Sequence, residues 1–397
     1  MSDSKGISLM IFATPTLDAR ELEVLAEIEA LKIKLQFQLN EPKRWTGSLR
    51  RLSFARNIRG SNSIEGFDAT LDDAAAVALG EEPLDATTET RLALDGYRNA
   101  MTYVLQIAQE PHVEASEALI KSLHFMMTHY DLSNSPGRWR PGAIFVRDEE
   151  SGEIVHEGAD VDDVPALMAE LVNDLNSNTA DPPVIRAAMA HLNLVMIHPF
   201  RDGNGRMSRC LQSLILAAEG VLSPVFMSVE EYLGKNTQAY YQILAEVGGG
   251  HWSPSRDARP WIRFMLTAHL RQAETLQRRV KESERLWVEL ERIRVRQGLP
   301  ERVISALFDA AYGYRVRNAT YRAVLAQDEE VSEQTAGRDL KQLVDAGLLN
   351  SMGERRGRHY VAGEELQALR RAIFGARTPR SVADPFAIRV PEQPSLF

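Results

Sequence analysis

The chain of 397 residues has a single cysteine, Cys210. It can form no internal disulfide, which excludes a small framework held by cross-links and fits a reducing compartment. Apolar runs long enough to span a bilayer are missing, and no basic-plus-apolar leader is read at the start. A cytoplasmic protein without a membrane partner is therefore expected. An excess of positive charge is missing too: 46 Lys and Arg stand against 55 Asp and Glu, a net charge of −9. That balance argues against wholesale coating of nucleic acid but leaves room for one local basic patch. The sequence has no internal repeat and no extended low-complexity segment. Its length suits two or three domains with real cores.

What is present is concentrated in residues 198–209, which read HPFRDGNGRMSR. Histidine titrates near neutral pH and can take a proton. A lone carboxylate such as Asp202 is a usual protein ligand for Mg2+, which fills its other positions with waters and phosphate oxygens. Gly203 and Gly205 let backbone N–H groups turn inward into an anion-binding nest. Arg206 and Arg209, three apart, face one side of a helix and can fork onto phosphate oxygens. Residues 184–197 and 207–220 are apolar and helix-like; Pro199 ends the first and Gly220 stops the second. The second helix would point its N-terminus, which attracts anions, at the loop. A plain Gly-Asn turn between core helices would explain the glycines but not His198, Asp202 and two arginines in one register. Cys210, beside this loop, falls on the apolar pattern and reads as a small core residue rather than a nucleophile.

At every fixed position HPFRDGNGR matches His-x-Phe-x-(Asp/Glu)-Gly-Asn-(Gly/Lys)-Arg, and the middle of the chain thereby resembles the Fic family. Its members mostly move AMP from ATP to a hydroxyl on a protein and release pyrophosphate. The resemblance implies ATP and Mg2+ as cofactors and a mostly α fold, a Fic-type helical bundle with a small β-hairpin flap. His198 would take the proton of the target hydroxyl, Phe200 would anchor the loop and Asp202 would bind Mg2+. Gly203, Asn204 and Gly205 would hold phosphates, with Arg206 and Arg209 on the β and γ groups. Gly205, where relatives can have Lys, leans toward AMP among the transferred groups.

Three further stretches take meaning from the same resemblance. Residues 61–66, SNSIEG, match the family's inhibitory pattern (Ser/Thr)-x-x-x-Glu-(Gly/Asn), with Ser61, Glu65 and Gly66 at its fixed places. Glu65 would pair with Arg209 and compete with a phosphate for one guanidinium; by themselves the six residues read equally as a helix end. The runs AIFV and EIV flank an acidic turn containing Ser151 and Gly152, a hairpin pattern. Its residues Ile144, Phe145 and Val146 would receive the target by strand addition. In residues 231–247, Asn236, Tyr240 and Tyr241 would lie near the adenine, although Tyr240, Ile243 and Leu244 share a helix face that reads equally as core. His124, inside the apolar run LHFMM, reads as a core histidine rather than a ligand.

Other helices are expected over 17–39, 48–65, 88–109, 115–129 and 164–175, with a long charged one over 261–297. Three short helices, 302–311, 318–327 and one capped by Ser332, precede a basic turn and the strand-like HYV. This C-terminal part resembles a winged helix. DNA would meet Arg338 and Lys341 on the third helix and Arg355, Arg356 and Arg358 in the wing, while such modules also serve protein docking and dimerisation, and DNA is the less favoured use. Residues 351–380 hold seven Arg and three Glu, a local excess of +4. The expected division is an N-terminal helical region at 1–112, a catalytic core at 113–262, a connecting helix at 263–298, a winged-helix-like domain at 299–365 and a tail at 366–397.

Two functions compete. One is a protein adenylyltransferase, held down by Glu65, acting on a Ser, Thr or Tyr hydroxyl of another protein or of itself. The other is a winged-helix regulator that only senses ATP, and a complete loop with His198 favours the enzyme. Use of another nucleotide donor, removal of AMP, and a homodimer are left open by sequence.

Overall fold

A computed structural model describes residues 10–40, 45–110, 113–147, 152–177, 180–220, 228–326, 330–375 and 383–387, with Asn40 and Arg356 described by backbone alone. Ser151 of the hairpin turn, Gln327 at a helix end and most of the tail fall outside these residues. The N-terminal half holds α1 (Ala19–Asn40), α2 (Trp45–Ser63), α3 (Leu71–Ala78), α4 (Thr88–Ile107) and α5 (Glu117–Thr128). Next come the hairpin strands β1 (Phe145–Arg147) and β2 (Ile154–Glu157), then α6 (Val164–Ser177), α7 (Pro183–Ile197) and α8 (Asn204–Ala218). After them stand α9 (Glu230–Lys235), α10 (Thr237–Gly248) and α11 (Arg259–Gln297). The C-terminal part is α12 (Ile304–Tyr312), α13 (Asn318–Leu325), α14 (Glu333–Asp345), β3 (Leu349–Met352), β4 (His359–Ala362) and α15 (Glu364–Phe374). The chain is thus mostly helical, as expected.

Local chemistry starts and stops these helices. Thr70, Thr87, Ser116 and Ser332 each accept a hydrogen bond from the backbone N–H three residues on, capping α3, α4, α5 and α14, a contact whose loss costs about 1 kcal/mol. Pro183 opens α7 where no N–H is needed. Gly298, at φ 62°, closes the 39 residues of α11.

The centre of the molecule is the antiparallel-like pairing of α7 with α8, covered by α4, α6 and α11. Every residue of α8 from Arg206 to Ala217 is buried. Trp261 of α11 reaches this centre fully buried and donates from Nε1 to the Ala188 carbonyl at 2.8 Å. The N-terminal half of α11 is therefore core. The boundary expected at 262/263 falls inside one unbroken helix, because Met265, Leu266 and His269 continue the same buried face. Two other differences are local. Helix α3 went unread, being short, and residues 231–247 form two helices broken at Asn236 (φ −129°, ψ 37°).

In the C-terminal part, β3 and β4 pair antiparallel, from Leu349 opposite Ala362 to Met352 opposite His359. Val316 adds a bridge to Tyr360. This unit leans on the N-terminal helices through ion pairs: Arg51 of α2 with Asp309 of α12, and Arg315 with Asp72 at 3.2 Å and Asp85 at 2.6 Å.

Candidate active site

The loop between α7 and α8 is held in shape by its own residues. His198 ends α7 in the left-handed region, φ 55°, with its N–H still bonded to the Leu194 carbonyl. Phe200 is fully buried and stacks on the His124 ring, centroids 3.7 Å apart. The Asn204 side chain closes the loop: its Oδ1 accepts from the Phe200 N–H and its Nδ2 donates to the Phe200 carbonyl, both at 2.9 Å. With both ends engaged and 2 % exposure, Asn204 staples the loop. Gly203, at φ 74°, caps α8 with no side chain over the first-turn N–H groups, leaving that end suited to an anion.

His198 has a defined protonation pattern. Its Nδ1 donates to the Val195 carbonyl at 3.0 Å, so the proton sits there and Nε2 keeps its lone pair. Burial pushes its pKa down to about 4, against the pull of that carbonyl and the Glu65 charge. The ring is neutral at pH 7 and ready to accept a proton.

The two arginines of α8 are each 1 % exposed but differently held. Arg206 donates from Nη1 to the Tyr130 hydroxyl at 3.1 Å, meets the Asp202 carboxylate at 3.5 Å and lies over the Phe67 ring. Arg209 donates from Nε to the Ser61 hydroxyl at 2.8 Å. Its Nη2 donates to the Ser61 carbonyl at 2.9 Å and to Glu65 Oε1 at 2.7 Å. Arg206 Nε and Arg209 Nη1 are buried without hydrogen-bond partners among the described residues. The turn after α2 delivers Glu65: Gly66, at φ 80°, reverses the chain, and the Glu65 and Phe67 N–H groups both bond the Asn62 carbonyl. The Glu65 carboxylate comes so close to α8 that a Cβ on Gly205 would lie 2.3 Å from Oε1. Sequence-separated residues Ser61, Glu65, Gly205 and Arg209 therefore meet at one point.

The hairpin stands beside His198. Phe145 pairs with Glu157 and Val146 with His156. The Phe145 side is 45 % exposed, and Ile144 and Val146 are half-buried. Glu157, the last residue of β2, bridges to His251, while β1 pairs with no second strand among the described residues. Gly158 at the hairpin base packs 3.1 Å from His198 Cβ, measured to the position its own Cβ would take.

The second tyrosine region divides. Tyr240 is 1 % exposed, its hydroxyl donating to His191 Nε2 at 2.9 Å; His191 Nδ1 donates in turn to Gln212 Oε1 at 2.7 Å. Tyr240 thus packs in the core, the second of the two readings its helix face admitted. Tyr241 is 48 % exposed and donates to the Ile64 carbonyl at 2.8 Å, next to Glu65. Asn236 is half-buried and donates to the Tyr232 carbonyl at 2.7 Å.

Two functional supports went unread in the sequence. Arg140, 4 % exposed, donates from Nε to the His198 carbonyl at 2.8 Å and from Nη2 to the Ala159 carbonyl, tying the hairpin base to the loop. His124, read only as core, donates from Nε2 to the Asp202 carbonyl at 2.8 Å and accepts from the Gly137 N–H at 2.9 Å. Burial lowers its pKa to about 4, so it serves as a neutral bracket. Cys210 is fully buried, and burial pushes its thiol pKa up, which leaves it inert. Among the described residues no group of three or more His, Cys, Asp or Glu is arranged to hold a metal ion. Asp202, with a 45 % exposed side chain, fits only an ion that takes its other ligands from water or a bound anion.

Comparison with known proteins agrees with this geometry. Residues 114–216 match the Fic/DOC family, so the chain contains a Fic domain. It is similar to a protein adenylyltransferase Fic of Nematostella vectensis, 25 % identical over 283 residues, covering 66 % of this chain and 58 % of that one. A protein adenylyltransferase fic-1 of Caenorhabditis briggsae is 41 % identical over 101 residues, 25 % of this chain and 17 % of that one. The chain thus spans less than two thirds of these curated relatives. A Fic family protein from Desulfovibrio desulfuricans G20 shares the fold, with TM-score 0.56 and 24 % identity over 88 % of this chain and 98 % of that one. No helix among the described residues is long and apolar enough to cross a membrane.

Proposed function

We propose that the chain is a protein adenylyltransferase that moves AMP from ATP to a Ser, Thr or Tyr hydroxyl of a protein. The observation that carries this reading is His198: its Nδ1 proton is committed to Val195, which leaves Nε2 to accept, and it opens the loop that leads into α8 with its two buried arginines. In the reaction the hydroxyl oxygen attacks the α-phosphorus while its proton passes to Nε2. The bond from that phosphorus to the bridging oxygen breaks, and pyrophosphate leaves. Arg206, Arg209 and the N–H groups around Gly203 and Gly205 hold the β and γ phosphates, a largely electrostatic contribution. Asp202 is the residue that would hold Mg2+, and the ion would neutralise charge on the departing pyrophosphate. Ile144, Phe145 and Val146 offer the free β1 edge to an extended target segment. Tyr241 and Asn236 border the adenine.

Glu65 is the brake. Its carboxylate occupies the guanidinium that would hold the γ-phosphate. The C-terminal unit has the element order of a winged helix, and Arg338 and Lys341 are exposed on α14, a surface suited to an anionic partner such as DNA. The test is the intact mass of Glu65→Gly protein incubated with ATP and Mg2+. A gain of one AMP, abolished by adding His198→Ala, is expected. A gain that survives His198→Ala, or none on the protein or any added substrate protein, overturns the reading.

A further inference from the structure

A basic cleft lies along α2, lined there by Arg56, Arg59, Gly60 and Ser63. A cavity of ≈ 430 Å3 opens between α2, α9, α11, α12 and α15. Six cations line it, Arg56, Arg59, Lys235, Arg278, Arg279 and Arg370, against two carboxylates, Asp68 and Glu231. This excess of four positive charges sits in a chain of net charge −9. Glu231 is already engaged: Arg279 grips both its oxygens at 2.6 Å and Lys235 lies 2.5 Å away. Arg278 meets Glu282 at 3.7 Å. Arg59 donates from Nε to the Ala69 carbonyl, and Arg56 Nη1 is buried without a hydrogen-bond partner among the described residues. Gly313, at φ 95°, leaves the space that Arg370 fills; a side chain there would meet its guanidinium at 2.3 Å. Guanidinium groups gathered from three helices repel one another unless an oxyanion lies between them.

We propose that this cleft binds a small molecule carrying two or more phosphate groups. Its volume suits a small ligand and is too small for a nucleic-acid duplex. Several forked guanidinium groups around one hollow match clustered phosphate oxygens better than a single carboxylate. The site also has a mechanical route to the brake. At Gly60, α2 and α9 touch backbone to backbone: a Cβ there would lie 2.4 Å from the Glu230 carbonyl oxygen, and one on Gly234 would lie 2.7 Å from the Gly60 oxygen. Arg59 precedes this crossing and Ser61 follows it, so a ligand drawing Arg59 toward α9 bears directly on the turn that holds Glu65. That consequence rests on the reading of Glu65 given above; the binding itself does not.

The test is calorimetric titration of the full chain with inorganic triphosphate. Binding is expected that weakens about tenfold or more in Arg59→Glu and in Arg370→Glu, both exposed positions, as loss of a charge-assisted contact requires. Arg206→Ala, in the catalytic loop, is expected to leave it unchanged. Thermal melts confirm that each variant folds. Competition by ATP in the Arg206→Ala protein assigns the phosphates to a nucleotide; no competition assigns them to inorganic polyphosphate. Absence of binding, or binding lost in Arg206→Ala and kept in both cleft variants, overturns the proposal. A failed AMP-transfer assay leaves this result standing, and a failed titration leaves AMP transfer standing.

Discussion

The two walls of the hollow beside His198 are built on opposite terms. The loop wall, from His198 to Arg206, is closed by its own Asn204 amide against the Phe200 backbone, with Phe200 stacked on His124 of α5. The α2 wall is held through side chains from a different part of the chain, Ser61 and Glu65 on Arg209. One wall rests on bonds within the loop itself, whereas the other rests on one turn of chain that follows α2. On the proposed function, the first wall performs the chemistry and the second sets when it happens. Arg206 and Arg209, equally buried on the same helix, fall on opposite sides of that division.

The sharpest way to break the division is His198→Ala. Loss of the base is expected to lower AMP incorporation about 10²–10⁴-fold, measured with labelled ATP, while leaving melting temperature nearly unchanged. Glu65→Gly should do the reverse on the movable wall. Removing a charge-assisted bond worth roughly 1.5–3 kcal/mol frees Arg209, so ATP binding should tighten about tenfold to a hundredfold, read by calorimetry. Equal ATP affinity in the two proteins would make the α2 wall a scaffold and not a brake. Asn204→Ala leaves the buried Phe200 N–H without its acceptor and should destabilise by about 1–3 kcal/mol in denaturant unfolding. If stability is untouched and only ATP binding falls, Asn204 faces the ligand after all.

The smallest effect concerns acid. Burial lowers the pKa of His124 to about 4 and of His191 and His269 to about 3. Above pH 6.5 both folded and unfolded chains leave these rings neutral. Below it the unfolded chain takes up protons that the folded one refuses, so stability falls as pH drops from 6.5 toward the folded values. Each ring should contribute roughly 1 kcal/mol per pH unit over that window. Because His198 also stays neutral to about pH 4, activity should fail in this range through unfolding before the base is protonated. Melting curves and rates between pH 7 and 4.5 test that order.

Much of the loop was legible because its parts are neighbours in sequence: one histidine, one carboxylate and two arginines lie within a dozen residues. Glu65 was legible only as a pattern, since its partner Arg209 is 144 positions away. Arg140 was not legible. Its bonds run to backbone carbonyls of His198 and Ala159, and a carbonyl has no sequence. Tyr240 was ambiguous because one helix face admitted both readings; His191, on another helix, claims its hydroxyl. The helical architecture followed from apolar periodicity, but the division of residues 231–247 depended on the backbone angles of Asn236, which no spacing rule announces.

The contact between Glu65 and Gly205 has a kinetic consequence. A carboxylate lying this close to Gly205 and bonded to Arg209 behaves as a ligand tethered to its own receptor. Its effective concentration is set by the fold, on the order of millimolar for a short tether, and does not change with the amount of protein. The proposed enzyme would then respond to the level of free nucleotide, opening when ATP outnumbers that built-in competitor and falling silent when ATP is scarce.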